Sequence, residues 1–211
     1  MAGFWTRFAR RVNQLGDLTL LENQSLPIIE VNAAYSDQPI NQAILICPAT
    51  AEGSTLNGSE LTGTLVALEV QTAPLRTSIW VEQVAWTQAA LIARVWCNHC
   101  AASDWLALVT RELARSLEVD PDLVAYMVYS GDDAVGMMIA SSDGFSGWWA
   151  GPDDVAAALF ARGASDFGRL VVSVPLARRD AFKVHIETAR FNLWLGAHQP
   201  SDAQTKRLSA P

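Results

Sequence analysis

The 211-residue sequence predicts an α/β fold, called α+β in some classifications, from two kinds of pattern. β-Branched and aromatic runs bounded by turn residues predict strands, and runs with apolar residues three and four apart predict helices. From residue 77 onward these runs follow in the order strand, helix, helix, three strands, helix, strand, helix, strand. Half of the residues are hydrophobic, which suits one medium domain or a full domain with a partial one.

The first sixteen residues, MAGFWTRFARRVNQLG, predict a helix. Five apolar side chains share one face of it: Phe4, Trp5, Phe8, Val12 and Leu15. A helix lying on a membrane surface is one interpretation. A helix packed against its own domain is the interpretation that base rates favour.

Two strands and a second helix are predicted in the rest of the first 76 residues. The strands are 18–21 and 40–47, and Pro27, Pro39 and Pro48 bound the loops around them. The segment NGSELTG then predicts a helix start, with Asn57 or Ser59 as cap, Leu65 and Leu68 facing a core, and Pro74 as the end.

The middle of the chain predicts a strand, two helices and a three-stranded meander. These elements are a strand at 77–85, helices at 86–99 and 104–117, and strands at 123–130, 134–141 and 144–151. Gly131-Asp132-Asp133 between two of these strands is a hairpin signal.

The last part predicts alternating helices and strands and then a polar tail. A helix begins at Pro152-Asp153-Asp154 and runs to about Gly163, and RLVVSVP (169–175) predicts a buried strand. A helix to Thr188 and a strand over 190–196 follow. The tail, 198–211, is polar, and we expect it to be disordered.

Charge, hydropathy and cysteine content exclude several classes of protein. The net charge of −7 and the pI of about 4.9 argue against non-specific nucleic-acid binding, which needs a basic surface. No uninterrupted apolar run reaches 18 residues and no signal peptide is recognisable, so we expect neither a membrane span nor export. Three cysteines in such a chain favour the reducing cytoplasm.

Two stretches resemble the GNAT acetyltransferase superfamily. LVAYMVYSGDDAVGMMIAS resembles the central hairpin of that family, and RLVVSVPLARRDAFKVHIETARFNLW resembles its last strand-helix-strand unit. The resemblance covers residues 77–197 and implies a mixed, mostly antiparallel central sheet flanked by helices. Residues 1–76 look like an added partial domain, as in members with a second, incomplete copy. Together with the apolar composition, the resemblance suggests a homodimer.

The resemblance implies acyl-CoA-dependent N-acyl transfer to an amine acceptor, a small molecule or a peptide, that the sequence does not identify. Acetyl-CoA or coenzyme A would be the cofactor, and Trp149, Ala150 and Gly151 match the strand end and loop that hold it. A backbone N–H near Trp149 or Ala150 would polarise the thioester carbonyl. His185 falls, with a one-residue gap, on the tyrosine that protonates the leaving thiolate. A solvated or capping helix histidine is the competing interpretation.

The sequence departs from the family at the loop that binds the pyrophosphate. The family's Arg/Gln-x-x-Gly-x-Gly/Ala loop reads WWAGPDDVAAALF here, with Gly151 alone and no arginine. Pro152 removes one amide donor, and Asp153 and Asp154 place negative charge where an anion would bind. This favours a second hypothesis, a non-catalytic GNAT-like module that binds a ligand or a protein.

The segment WCNHC (96–100) suggests a third hypothesis, a thiol redox protein that uses Cys97 and Cys100. A low-pKa thiolate is typical of a Cys-x-x-Cys pair at a helix start, but here the pair lies at the end of a helical pattern. A zinc site on Cys97, His99 and Cys100 would need a fourth ligand, such as Cys47 or His185. We predict no metal site and two reduced cysteines at a helix turn.

The adjacent Trp148 and Trp149 are predicted to face opposite sides of one strand. One of them should be core, and the other can line a pocket or a protein contact.

Overall fold

Within the described residues, eleven strands form one sheet with helices packed against it. The computed structural model describes residues 1–23, 26, 28, 30–36, 44–48, 60–71, 79–182 and 185–195. The α-helices are α1 (Ala2–Thr6), α2 (Ala89–His99), α3 (Leu106–Val119) and α4 (Asp153–Phe167). The strands are β1 (Arg11–Leu15), β2 (Leu18–Glu22), β3 (Ala34–Tyr35), β4 (Ile44–Pro48), β5 (Glu60–Glu69), β6 (Trp80–Val84), β7 (Leu123–Ser130), β8 (Asp133–Ser141), β9 (Phe145–Ala150), β10 (Val171–Pro175) and β11 (Ile186–Leu195).

The sheet is mixed and mostly antiparallel, as the sequence predicts. Its strand order is β1-β2-β3-β4-β11-β5-β10-β9-β8-β7-β6. Only the pairs β3–β4 and β9–β10 are parallel among the described strands. The predicted hairpin is confirmed: β7 and β8 pair from Leu123↔Ser141 to Ser130↔Asp133. Gly131 takes the positive φ of 62° that the turn between these strands requires.

The two faces of the sheet carry separate hydrophobic cores. One core contains α1, α2 and α3, with Trp5, Phe8 and Trp148 among its buried side chains. The other core contains α4, with Phe160 and Phe182 at its centre. The alternation of side chains along β8 and β9 divides their residues between the two cores.

The prediction of a single helix over the first sixteen residues is wrong beyond residue 6. Only Ala2–Thr6 is α-helical, and Arg11–Leu15 forms β1, which pairs with β2 across a turn at Gly16, where φ is 62°. The aromatic half of the predicted apolar face is buried, but Val12 and Leu15 are 47% and 64% exposed. The helical spacing of Val12 and Leu15 therefore does not mark a helical face, because β1 pairs with β2, the next strand along the chain.

The predicted helix after Asn57 is also wrong. Residues 60–69 form the ten-residue strand β5, which pairs with both β10 and β11. These partners lie more than a hundred residues away along the chain, and pairing on both sides outweighs the local helical spacing of Leu65 and Leu68. Leu68 is buried in the core as expected.

The helix predicted to reach Thr188 is replaced by a short 3-10 helix, Leu176–Phe182, and β11 begins at Ile186. His185 therefore lies in a bend between these two elements and not on a helix. The first residues of β11 pair with the end of β5, at Ile186↔Glu69 and Glu187↔Leu68. That pairing draws the segment into the sheet before a full helix can form.

The other predicted elements from residue 79 onward are confirmed with shifted ends. The longest shift is in α4, which continues to Phe167 and ends at Gly168 with a φ of 73°. Several predicted features lie outside the described residues: the boundary between residues 76 and 77, the caps Asn57 and Ser59, the loop prolines Pro27 and Pro39, the helix end at Pro74 and the tail 198–211. No helix among the described residues has both the length and the apolar character needed to cross a membrane.

Candidate functional site: a split between two parallel strands

The parallel strands β9 and β10 pair only at their beginnings. Val171 and Val172 lie opposite Phe145 and Ser146, and no further pairs follow on the described strands. The register between β8 and β9 shifts between Ile139 and Ser141, which places an extra residue in β9 just after the paired segment. Such a bulge bends its strand. The bend accounts for the separation of β9 from β10, which opens a split toward their carboxyl ends.

A glycine in β9 lets the ring of Trp5 pack directly on the bulged segment. A Cβ atom on Gly147 would lie 2.9 Å from the Trp5 ring, closer than carbon atoms approach in folded proteins. Trp148, the next residue, faces the same core, where its ring centroid lies 6.2 Å from that of Trp5 and 5.0 Å from that of Phe8. The aromatic side chains of α1 and the turn after it therefore pack directly on the bulged segment of β9.

The indole of Trp149 spans the split. Its Nε1–H donates a hydrogen bond of 2.8 Å to the carbonyl oxygen of Ser173 on β10. Val171 N–H, two residues earlier on β10, donates to the carbonyl of Gly144, so this side of β10 faces β9. Ser173 therefore offers the carbonyl that a continued ladder would have used, and the side chain of Trp149 takes the place of a backbone donor.

Arg178 covers the outer face of that indole. Its guanidinium carbon lies 4.5 Å from the centroid of the Trp149 ring, within the range of a cation–π contact. Nη2 of Arg178 donates to the Gly151 carbonyl at 3.0 Å, and Nε donates to Asp153 Oδ1 at 3.0 Å. Arg178 thus connects the end of β9, the start of α4 and the indole between the strands.

The acidic residues at the start of α4 are bonded to the groups that an anion would contact there. Asp153 pairs with Arg178, and Asp154 Oδ1 accepts a hydrogen bond of 2.9 Å from Val155 N–H. Gly151 has a φ of 144°, and a Cβ there would lie 3.0 Å from the side chain of Val155. The loop therefore needs glycine at position 151, and the carboxylates of α4 occupy the donors that a bound anion would use.

Sequence reasoning missed Arg178. The loop WWAGPDD contains no arginine, as predicted, but the crossover from β9 through α4 to β10 returns the chain to the same end of the sheet. The segment after β10 then supplies the cation. This guanidinium offsets the charge of Asp153, so the predicted pair of unopposed aspartates is corrected to one carboxylate paired with Arg178 and one that accepts the Val155 N–H.

His185 lies at the edge of the aromatic group around Trp149. Its ring stacks on Phe182 with a centroid distance of 6.3 Å, and Phe182 in turn contacts Trp149 at 6.0 Å. Nδ1 of His185 accepts a hydrogen bond of 3.3 Å from Gln71 N–H. Burial lowers the pKa of His185 below its ordinary value, so the ring is neutral at pH 7 with its proton on Nε2.

Comparisons with known proteins agree with this topology. The structure is similar to that of a conserved protein of unknown function from Staphylococcus epidermidis, with a TM-score of 0.62 and 8% identity over 89% of this chain and 94% of that one. It is also similar to a GCN5-related N-acetyltransferase from Kribbella flavida, with a TM-score of 0.55 and 12% identity over 96% of this chain and 95% of that one. The chain has the GNAT fold. A scan against models of protein families and a search of curated proteins found no match.

The GNAT fold gives the two adjacent tryptophans different surroundings. Trp148 is 2% exposed and packs in the core with α1 and α2, where its ring also contacts Trp96 at 5.8 Å. Trp149 is on the opposite face, half-buried, beside Phe160 and Phe182. The prediction that the two face opposite sides of the strand, with one of them in the core, is confirmed.

The cysteine pair of this GNAT-fold chain lies in surroundings that raise the thiol pKa. Cys97 is in the last turn of α2 and Cys100 caps its end, so both thiols lie at the negative end of the helix dipole. Burial raises the pKa of each thiol to about 11. A redox-active pair needs a lowered pKa. Among the residues that the structure describes, no three His, Cys, Asp or Glu side chains are placed to hold a metal ion.

Proposed function

We propose that the chain is an acyl-CoA-dependent N-acyltransferase that uses the split between β9 and β10. The observation that carries the proposal is the split itself, which lies beside a bulge in β9 of a GNAT-fold sheet. Strands that separate at their carboxyl ends leave backbone groups available to a ligand. Acetyl-CoA is the proposed acyl donor, and an amine is the acceptor.

The residues at the split fit this donor once the indole of Trp149 has moved aside. Ser173 offers a carbonyl acceptor and β9 offers backbone groups at Trp149 and Ala150, which are the kinds of partner that an amide-containing ligand arm requires. At the mouth, Arg178 supplies positive charge beside Gly151 and the start of α4. Asp153 opposes an anion there, so we expect binding that is moderate and sensitive to salt.

Acetyl-CoA supplies an activated acyl group when bound, and the chain positions it against the amine. Much of the rate of such a reaction comes from holding the two reactants together. A backbone N–H at Trp149 or Ala150 would stabilise the charge that develops on the carbonyl oxygen. His185, neutral and with its proton on Nε2, would donate a hydrogen bond to the departing sulfur. Donation of a hydrogen bond is a weaker role than the protonation of the thiolate that the family resemblance implies for this position.

The test is a calorimetric titration of the full chain with acetyl-CoA, followed by an assay of thiol release with a panel of amines. Micromolar binding and amine-dependent thiol release are expected, and His185→Ala should lower the rate without weakening binding. Glu118→Gln, an exposed change on α3, is the matched control. The absence of binding up to millimolar acetyl-CoA would contradict the proposal.

A non-catalytic module is the second candidate, and the filled split favours it. The groups at the split already have partners: Arg178 contacts both Trp149 and Asp153, and the Trp149 N–H is bonded to Ser173. Pro152 removes an amide donor at the start of α4. A module of this kind would bind no acetyl-CoA, and it would use another surface for its ligand or protein. The same titration therefore separates the two candidates.

The setting of the proposed enzyme follows from its charge and thiols. We propose a cytoplasmic protein, since Cys97 and Cys100 are free thiols. A net charge of −7 favours a cationic amine, either a small molecule or a peptide, and disfavours nucleic acid and anionic membranes. Homodimer formation remains part of the proposal and is checked by sedimentation.

A further inference from the structure

Four contacts hold the indole of Trp149 in the split. Ser173 accepts its N–H at 2.8 Å on one side, and Arg178 stacks on its face at 4.5 Å. Phe160 and Phe182 pack edge-on against it at 5.1 and 6.0 Å. The ring is therefore clamped between a carbonyl, a cation and an aromatic pair, in the gap that a ligand would have to enter.

The clamp is itself held by an ion pair. Arg178 bonds to Asp153 and to the Gly151 carbonyl, and these two contacts fix the guanidinium over the indole. The side chain of Arg178 is 27% exposed and that of Asp153 is 53% exposed, so solvent and solutes can reach the pair. A group that competes for Arg178 would thus remove the cover from the ring.

From these contacts we infer that Trp149 is a latch, secured by Arg178, that controls entry to the split between β9 and β10. The inference rests on the proposed function and names the residues that determine access to its site. In the closed state the indole N–H donates its hydrogen bond to the carbonyl oxygen of Ser173. In the open state Ser173 accepts an N–H from the ligand, and Arg178 leaves Asp153 for an anionic group of the ligand.

The chemistry of the two released groups defines the ligand that opens the latch. Ser173 then needs a hydrogen-bond donor, and Arg178 needs an anion at the start of α4. A ligand that carries an amide and a phosphate satisfies both groups, whereas a free amide or a free phosphate satisfies one. Opening should therefore respond to coenzyme A more strongly than to either pantetheine or inorganic pyrophosphate.

The latch can be observed without catalysis through hydrogen exchange of the indole N–H. The full chain is labelled with ¹⁵N-tryptophan, and the resonance of Trp149 is identified by its loss in Trp149→Phe. Trp80 is 67% exposed and its N–H donates only to the surface carboxylate of Glu82, at 3.0 Å, so it is the reference for a solvent-accessible indole. The buried Trp148 reports that each variant remains folded. Exchange is then compared in the wild type, in Arg178→Gln and in Asp153→Asn.

The latch predicts that the Trp149 N–H of the wild type exchanges at least about tenfold more slowly than that of Trp80. Arg178→Gln should bring the two rates together, and Asp153→Asn should have an intermediate effect. The inference is overturned if Trp149 exchanges as fast as Trp80 in the wild type. It is equally overturned if Arg178→Gln leaves the rate unchanged while Trp148 stays protected.

A titration with coenzyme A separates failure of the latch from failure of the proposed function. Trp149→Phe keeps an aromatic ring against Phe160 but loses the N–H, so it should bind about tenfold more tightly than the wild type, since a closed state lowers apparent affinity. Equal or weaker binding by Trp149→Phe overturns the latch and leaves the proposed function in place. Binding by neither protein overturns the proposed function and the role of the latch in it.

Discussion

The carboxylate of Glu112, fully buried on α3, accepts hydrogen bonds from Arg10, which lies 102 residues earlier in the chain. Asn23 donates to the same carboxylate at 3.3 Å and also to the carbonyl of Phe8 at 2.7 Å. Burial alone would raise the pKa of Glu112, but Arg10, Asn23 and the nearby Arg115 together hold it below its ordinary value. The network fastens the N-terminal segment to α3.

The first prediction is that Glu112→Gln destabilises the protein by about 1–3 kcal/mol, because it removes the charge of a buried carboxylate that accepts hydrogen bonds from Arg10 and Asn23. The pH dependence has a defined sign. A folded pKa below the ordinary value of about 4.3 stabilises the protein above that pH, and the contribution is lost as the pH falls through the lower folded pKa. Urea unfolding at pH 7 and at pH 3 measures both effects.

Glu118→Gln, an exposed change near the end of the same helix, is the control for that experiment. It should alter the free energy of unfolding by less than about 0.5 kcal/mol. Equal stability of Glu112→Gln and Glu118→Gln would show that the buried network does not stabilise the fold.

Contacts between residues far apart in the chain, such as Arg10 with Glu112, were not predicted from the sequence. The hairpin at Gly131, the strand β9 and the start of α4 were found because turn residues and local periodicity specify them. The strand β5 was missed because its partners, β10 and β11, lie far along the chain and override its helical spacing. Local pattern therefore gave most elements from residue 79 onward and misassigned two before it.

In the candidate site, too, the residues specified by local pattern were predicted and those that depend on distant partners were not. The residues of the loop at Gly151 were identified from sequence, because a glycine before a helix start is a local signal. The partners Ser173 and Arg178 were not identified from sequence. Ser173 lies 24 residues after Trp149 and Arg178 lies 27 residues after Gly151, and both meet the loop only through the parallel crossover. Side-chain contacts across a split depend on how far the strands separate, which no local pattern encodes.

The second prediction concerns the bulge in β9. Gly147→Ala would place a methyl group 2.9 Å from the ring of Trp5, and because α1 holds that ring in the core, we expect a loss of about 1–3 kcal/mol. Gly3→Ala is the matched control, since nothing lies within 4 Å of a Cβ at that position of α1. Thermal unfolding of the two variants should differ clearly. A stable Gly147→Ala would contradict the tight contact.

The third prediction is that the thiols of Cys97 and Cys100 react slowly. Burial raises the pKa of each to about 11, so few thiolates exist at pH 7. In a Cys47→Ser background, alkylation by iodoacetamide should remain slow at pH 8 and rise steeply toward pH 11, when compared with a small free thiol. Rapid alkylation at pH 7 would revive the redox hypothesis.

The fourth prediction concerns charge at the mouth of the split. Asp153→Asn removes a negative charge and releases Arg178, so it should tighten binding of coenzyme A several-fold, whereas Arg178→Gln should weaken it in spite of opening the latch. Both effects should shrink at high salt, because the pair is accessible to solvent. Calorimetry at low and high ionic strength measures them, with Glu118→Gln as the control. Unchanged affinity in Asp153→Asn would mean that the anion binds elsewhere.

The most direct test of the proposed site is backbone hydrogen–deuterium exchange of the full chain with and without saturating acetyl-CoA. New protection is expected in two segments that are distant in sequence, 146–156 and 171–178, which border the split between β9 and β10. The segment 11–22, at the far edge of the sheet, should not change. Protection confined to other segments, or no protection at all, would contradict the assignment of this split as the acyl-CoA site.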